Sequence, residues 1–307
     1  MAGRKFSVTL AALFLFVGIA NATVAPLSPQ REASTDLALT GNLAGVPVGA
    51  TRFISYKALL ELPEVTAAVE GRGGSADLPV GHWTVTGVSL DVLAGAVGAP
   101  LEGEMIEAAA SDGYYGHYSQ TYRAAHRPIL VLKIDGLDVH AWAEKNHSSD
   151  PGPYLVAHED FVPSYRVLGQ EERSQVPSGV VRLNFDTEAK MLGAIRPRGS
   201  RATDEVVDQG FQIAQLSCFR CHNSGAYGGS KADRSWSVLG ESAARNPKRF
   251  MAYIHAPRLI DPAAKMPGND TYNAAALAAL TAYFQTFSSE GSLSFSVEPI
   301  PSSRGQP

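Results

Sequence analysis

Only two cysteines occur in the 307 residues, and both fall within Cys218-Phe219-Arg220-Cys221-His222. No disulfide is left over to staple the rest of the chain, so the remainder must be held by an apolar core. The spacing C-x-x-C-H is also the one at which two thioether bonds fix a haem while the next residue offers its imidazole to the iron. A zinc site would need further ligands with their own spacing, and no second C-x-x-C or H-x3-5-H pair is present. A thioredoxin-like dithiol would follow a strand and open a helix. Here the pair closes a helical pattern instead: Val207, Phe211, Ala214 and Cys218 form one apolar stripe, and Asp204, Glu205 and Asp208 sit near its positive end. Structural or redox cysteines are the alternative to haem attachment.

The amino terminus reads as a leader. Arg4 and Lys5 precede an apolar run from Val8 to Ala20, and Ala20-Asn21-Ala22 has the small residues of a signal-peptidase site. Residues 1–22 are therefore read as a signal peptide; the apolar run is short for a bilayer crossing, and an uncleaved amino-terminal anchor is the alternative. Periplasmic or otherwise exported placement agrees with haem attachment, and no transmembrane span is expected after cleavage. Formal charge is −4, so composition does not point to nucleic acid as a partner. No P-loop or dinucleotide glycine motif is found.

Met266 lies in Lys265-Met266-Pro267, 44 residues after His222, where a second axial ligand would be sought. A thioether sulfur favours ferrous iron and raises the potential relative to two imidazoles. Met251 and His255 are the rivals for that position. A last helix is predicted from about Asn273 to Phe287, with Leu277, Leu280, Phe284 and Phe287 at helical spacing. Its natural partner is the Val207/Phe211 stripe, with Gly210 allowing a close crossing.

These residues together resemble a class I cytochrome c, from Gly210-Phe211 through Cys218, Cys221 and His222 to Met266-Pro267, Leu280 and Tyr283. The resemblance covers residues 204–287. It implies an all-α domain with one covalent haem c, thioethers at Cys218 and Cys221, His222 as proximal and Met266 as distal ligand. One departure is visible: the family's Gly-Pro-x-Leu segment, whose proline carbonyl holds the proximal histidine, is absent. The chain instead reads Gly228-Gly229-Ser230, then Ser235-Trp236-Ser237-Val238-Leu239. The source of that hydrogen bond is therefore open, and Trp236 is read either as a core side chain or as a donor to a propionate.

Upstream, helices are predicted over Ser55 to Leu62 and Ser89 to Val97, with strands at Trp83-Thr84-Val85, Ile129 to Ile134 and Val180 to Leu183. The turn pairs Asp112-Gly113 and Asp135-Gly136 separate elements. The pattern is mixed α+β over residues 35–187, followed by a polar linker at 188–203 that contains Arg196-Pro197-Arg198-Gly199-Ser200. A tail at 288–307 is read as flexible.

This region resembles the molybdopterin-binding domain of the sulfite oxidase family. The matching pieces are Val85 to Leu90, Ala110 to Tyr114, the strand Pro128 to Ile134 ending in Asp135-Gly136, and Gly152 to Val156. That family ligates molybdenum through a cysteine thiolate, and none exists here outside the C-x-x-C-H motif, so no molybdenum cofactor is expected. His117, His126, His140, His147 and His158 fit no metal-ligand spacing and are read as surface or hydrogen-bonded side chains; Asp112, Tyr114 and Tyr115 are read as structural. The expected protein is a multidomain electron carrier that meets redox partner proteins, with the first domain as a scaffold or docking module. The alternatives are an electron-accepting subunit of an oxidoreductase whose first domain binds substrate or a pterin, and a haem-based sensor.

Overall fold

A computed structural model describes residues 25–71, 73, 78–100 and 104–289. The leader at 1–22 and the alternating Leu293, Phe295 and Val297 of the tail lie outside the described residues. The chain opens with β1 (Leu37–Gly41), β2 (Arg52–Ile54), α1 (Tyr56–Leu60), β3 (Val65–Gly71), β4 (Gly81–Ser89), α2 (Leu90–Ala96), β5 (Glu104–Ala110) and β6 (Tyr115–Tyr118). Next come α3 (Gln120–His126), β7 (Ile129–Ile134), β8 (Leu137–Asp138), α4 (Val139–Lys145), β9 (Leu155–Ala157), β10 (Arg166–Val167), β11 (Gln170–Glu171) and β12 (Val180–Thr187). Helices then dominate: α5 (Glu188–Gly193), α6 (Glu205–Ser217), the hairpin β13 (Asn223–Ser224) and β14 (Tyr227–Gly228), α7 (Trp236–Arg245), α8 (Pro247–His255), α9 (Pro257–Ile260) and α10 (Ala274–Gln285).

Two five-stranded sheets make up the first part. One runs β2-β1-β12-β5-β6 and the other β3-β4-β7-β8, with β9 also paired to β7. Every pairing is antiparallel except β1 with β12. β5 is buried along its whole length, Glu104 and Glu107 included, and β7 at five of its six residues, as expected of central strands covered on both faces. Asp135 and Gly136 form the two-residue β7–β8 loop at φ +49° and +78°, both left-handed, which is the turn that matches the twist of a hairpin. Ser55 and Ser89 cap α1 and α2 by accepting from the backbone N–H groups of Ala58 and Val92. The short helices α3 and α4, which sequence periodicity left unassigned, are capped in the same way by Ser119 and Asp138.

The helical part is organised by α6 against α10. Val207, Ala214, Ala276 and Leu280 are fully buried in one apolar cluster with Phe211, Phe284 and Phe287. A Cβ on Gly210 would lie 2.1 Å from the Ala279 carbonyl oxygen, so the two backbones cross where only glycine fits. The stretch read as a linker carries α5, whose Met191 and Leu192 join Ile195 in that same cluster. Apolar side chains there bind 188–195 to the helices, while Arg196, Arg198 and Ser200 remain exposed. The cluster also takes in Met105 of β5, so it spans both parts of the chain. Among the described residues no helix is long and apolar enough to cross a membrane.

Candidate functional site

Helix α6 delivers the C-x-x-C-H motif. Its last turn continues past Ser217: Cys218 N–H donates to Ala214 O (2.8 Å), and His222 N–H donates to Cys218 O (3.0 Å). Both thiols are free and half-buried on this turn. The hairpin β13–β14 then folds back beneath it. A Cβ on Gly229 would sit 1.9 Å from Arg220 O, and one on Gly228 would sit 2.4 Å from the Phe219 ring. The pair Gly228-Gly229 is thus what lets the chain pass so close to the motif.

His222 donates from Nδ1 to the Arg234 carbonyl at 2.6 Å. A carbonyl can only accept, so the proton is on Nδ1 and the lone pair is on Nε2. Burial lowers the imidazole's pKa, with the Arg234 carbonyl acting in the opposite sense, and the neutral imidazole is favoured. The Arg234 carbonyl is thus what orients the imidazole. Burial also pushes the Cys218 thiol up to about 12 and raises that of Cys221, so neither is a ready thiolate.

Met266 and Cys218 both pack against the apolar cluster that contains Phe211 and Leu280. Its loop is tied back to the end of α8, with Asn269 N–H donating to His255 O (3.0 Å) and the Asn269 side chain donating to Ile254 O (3.1 Å). His255 itself holds a buried Nδ1 with no hydrogen-bond partner among the described residues. Trp236 is a core side chain: it is 1% exposed, and its N–H donates to the Tyr283 hydroxyl at 2.9 Å, which removes it as a donor to any propionate.

The two residues between the cysteines face the sheets. The Phe219 ring stacks on His117 of β6 at 4.6 Å and 18°. The Arg220 guanidinium is 9% exposed and donates to the Tyr114 hydroxyl (3.0 Å), Ser174 O (3.1 Å), Arg173 O (3.0 Å) and Leu216 O. Tyr115 N–H donates to Arg220 O at 2.8 Å, and the amides of Ser230 and Lys231 both donate to Gly113 O. Gly113, at φ +82°, leaves no room for a Cβ against Lys231, so the Asp112-Gly113 turn is shaped by this contact. Nothing in the sequence signalled it.

Within the sheets, Ser174 also lines a cleft of about 550 Å³ together with Val69, Leu155, His158, Phe161 and Val176. His158 is held neutral by burial, which lowers its pKa to about 3, and its Nε2 lies 3.1 Å from the Tyr122 hydroxyl. That hydroxyl also accepts from Gln175 N–H at 2.9 Å. His117 pairs with Glu107 (3.2 Å), His126 with Glu172 (2.9 Å) and His140 with Asp150 (2.8 Å). No group of three or more His, Cys, Asp or Glu among the described residues is arranged to hold a metal ion.

By fold this is a mixed α/β protein in which two sheets are joined to a helical carboxy-terminal part. No protein-family model matches the chain, and no curated protein matches it. Among solved structures, the sulfane dehydrogenase SoxCD from Paracoccus pantotrophus is similar at 17% identity with a TM-score of 0.34, over 56% of this chain. The match spans 45% of the length of that chain. A likeness of this degree assigns neither a family nor an activity.

Proposed function

We propose that this protein is an exported c-type cytochrome that carries one electron at a time on a haem bound covalently through Cys218 and Cys221, with His222 and Met266 as axial ligands. The observation that carries the reading is His222: its Nδ1 is fixed on the Arg234 carbonyl and its Nε2 is left with a lone pair, directly after two free thiols on one turn. The donor set fits, since one neutral imidazole, one thioether and two thiols without other partners are what such a group requires of a chain. Bound haem supplies one-electron exchange between ferric and ferrous iron. The chain's own residues orient the proximal imidazole, supply the Met266 sulfur from the loop tied to α8, and present apolar packing from Phe211, Leu280 and Phe284. The protonated thiols argue against a dithiol exchange site, which works through a thiolate.

The test is the exported full-length protein made in a host that attaches haem covalently. A pigment that survives denaturation, with one iron per chain, is the expected result; its loss in Cys218→Ser with Cys221→Ser checks the attachment. Met266→Ala should open the distal side, so that the reduced protein binds carbon monoxide. The same gain from His255→Ala, with Met266→Ala inert, would assign the distal ligand to His255 instead. A colourless wild-type protein refutes the proposal.

A second reading is favoured by the cleft. Its wall residue Ser174 bonds directly to Arg220 between the cysteines, so a molecule bound there would sit against the attachment loop. In that reading the protein is the electron-accepting part of an oxidoreductase. Stoichiometric pterin or molybdenum in the purified protein would select it over the carrier.

A further inference from the structure

We propose that Arg220 is a positioning residue that places a fixed, buried positive charge between the two attachment cysteines, and that this charge raises the reduction potential of the haem site. The inference rests on the haem reading above. Four of the five guanidinium N–H donors are used, and every acceptor is neutral: the Tyr114 hydroxyl and the backbone carbonyls of Ser174, Arg173 and Leu216. No carboxylate forms an ion pair with Arg220 among the described residues.

A side chain meant only to tie two surfaces together would not need a charge, and a buried charge without a counter-ion is costly to keep. What this arrangement achieves is a cation whose field is not cancelled. Ferric iron carries one more positive charge than ferrous, so a nearby fixed cation disfavours the oxidised state more than the reduced one and moves the potential up. Three of the four acceptors belong to the sheet domain, which therefore fixes where the charge sits. The planar fork explains why arginine stands here, since an ammonium has three donors and no fork to span Tyr114, Ser174 and Arg173 together.

Charge and clamp can be separated in the haem-loaded full-length protein. Arg220→Gln removes the charge, Arg220→Lys keeps the charge and loses the fork, and Tyr114→Phe keeps Arg220 and deletes one acceptor. Equilibrium redox titration should show a lower midpoint potential in Arg220→Gln, with Arg220→Lys and Tyr114→Phe close to wild type. Hydrogen exchange at the Tyr115 amide, which bonds to Arg220 O, should report the clamp and not the charge, with protection falling about tenfold or more in all three variants, as for loss of a charge-assisted bond. An unchanged or raised potential in a folded, haem-loaded Arg220→Gln overturns the proposal. Should that variant not fold, a lowered potential in folded Arg220→Lys overturns it as well, because the charge is still there. A colourless wild type would instead refute the haem reading on which the inference stands.

Discussion

At the scale of single residues, burial sets the chemistry more than sequence neighbours do. Glu104 at the start of β5 is 1% exposed, and neither carboxylate oxygen has a hydrogen-bond partner among the described residues. Burial raises its pKa from 4.5 to about 7, Asp186 adds to the rise, and Arg123 opposes it. Between those two values the native protein holds a proton that the unfolded chain has released, so this group's contribution is full below about 4.5 and is lost as pH rises towards 7. Glu104→Gln should therefore flatten the fall in stability across that window, measured as urea midpoints from pH 4.5 to 7; an unaltered slope would show that Glu104 does not titrate there. His222 shows what a residue pattern leaves out. Its place after Cys221 was legible, whereas its Arg234 partner, 12 residues on, is supplied by a backbone oxygen that carries no sequence signature.

At the scale of elements, two helical glycines separate propensity from packing. Gly95 in α2 has open space where a Cβ would go, while Gly210 in α6 would drive one to 2.1 Å from Ala279 O. Helix propensity alone favours alanine by about 1 kcal/mol at both positions. Gly95→Ala should thus stabilise by about 0.5–1 kcal/mol, whereas Gly210→Ala should destabilise by about 1–3 kcal/mol because α6 and α10 must part. Chemical denaturation of the two variants checks the pair; equal effects would mean that the crossing is looser than described. The long elements with strong patterns, α6, α10 and β7, were readable because side-chain burial repeats at the period of the backbone. The two-residue strands β10, β11, β13 and β14 were not, since they exist only because other segments hold their ends.

At the scale of the whole molecule, the sheet domain and the helical domain are locked together around the C-x-x-C-H turn. Tyr115 to Arg220, Ser230 and Lys231 to Gly113, and the Asn273 side chain to Leu168 O (2.7 Å) are bonds across that boundary. Trypsin should cut after the exposed Arg198 and Arg201, the Arg196-Pro197 bond being resistant, yet the two fragments should still co-elute in size exclusion under native conditions. Separation on cutting would show that the covalent link, and not the interface, holds the parts together. The sheet domain is thus more than a module carried alongside; it forms one wall of the environment of the cysteines.

Local spacing and periodicity were enough to place Cys218, Cys221 and His222 along the chain and to mark the segments apolar enough to become α6, α10 and the central strand β7. What Phe219 and Arg220 touch, which carbonyl orients His222, and that 188–195 belongs to a core emerged from the folded chain alone. Those outcomes depend on surfaces far apart in the chain finding a common fit, and the acceptors they use are backbone oxygens that every residue possesses alike.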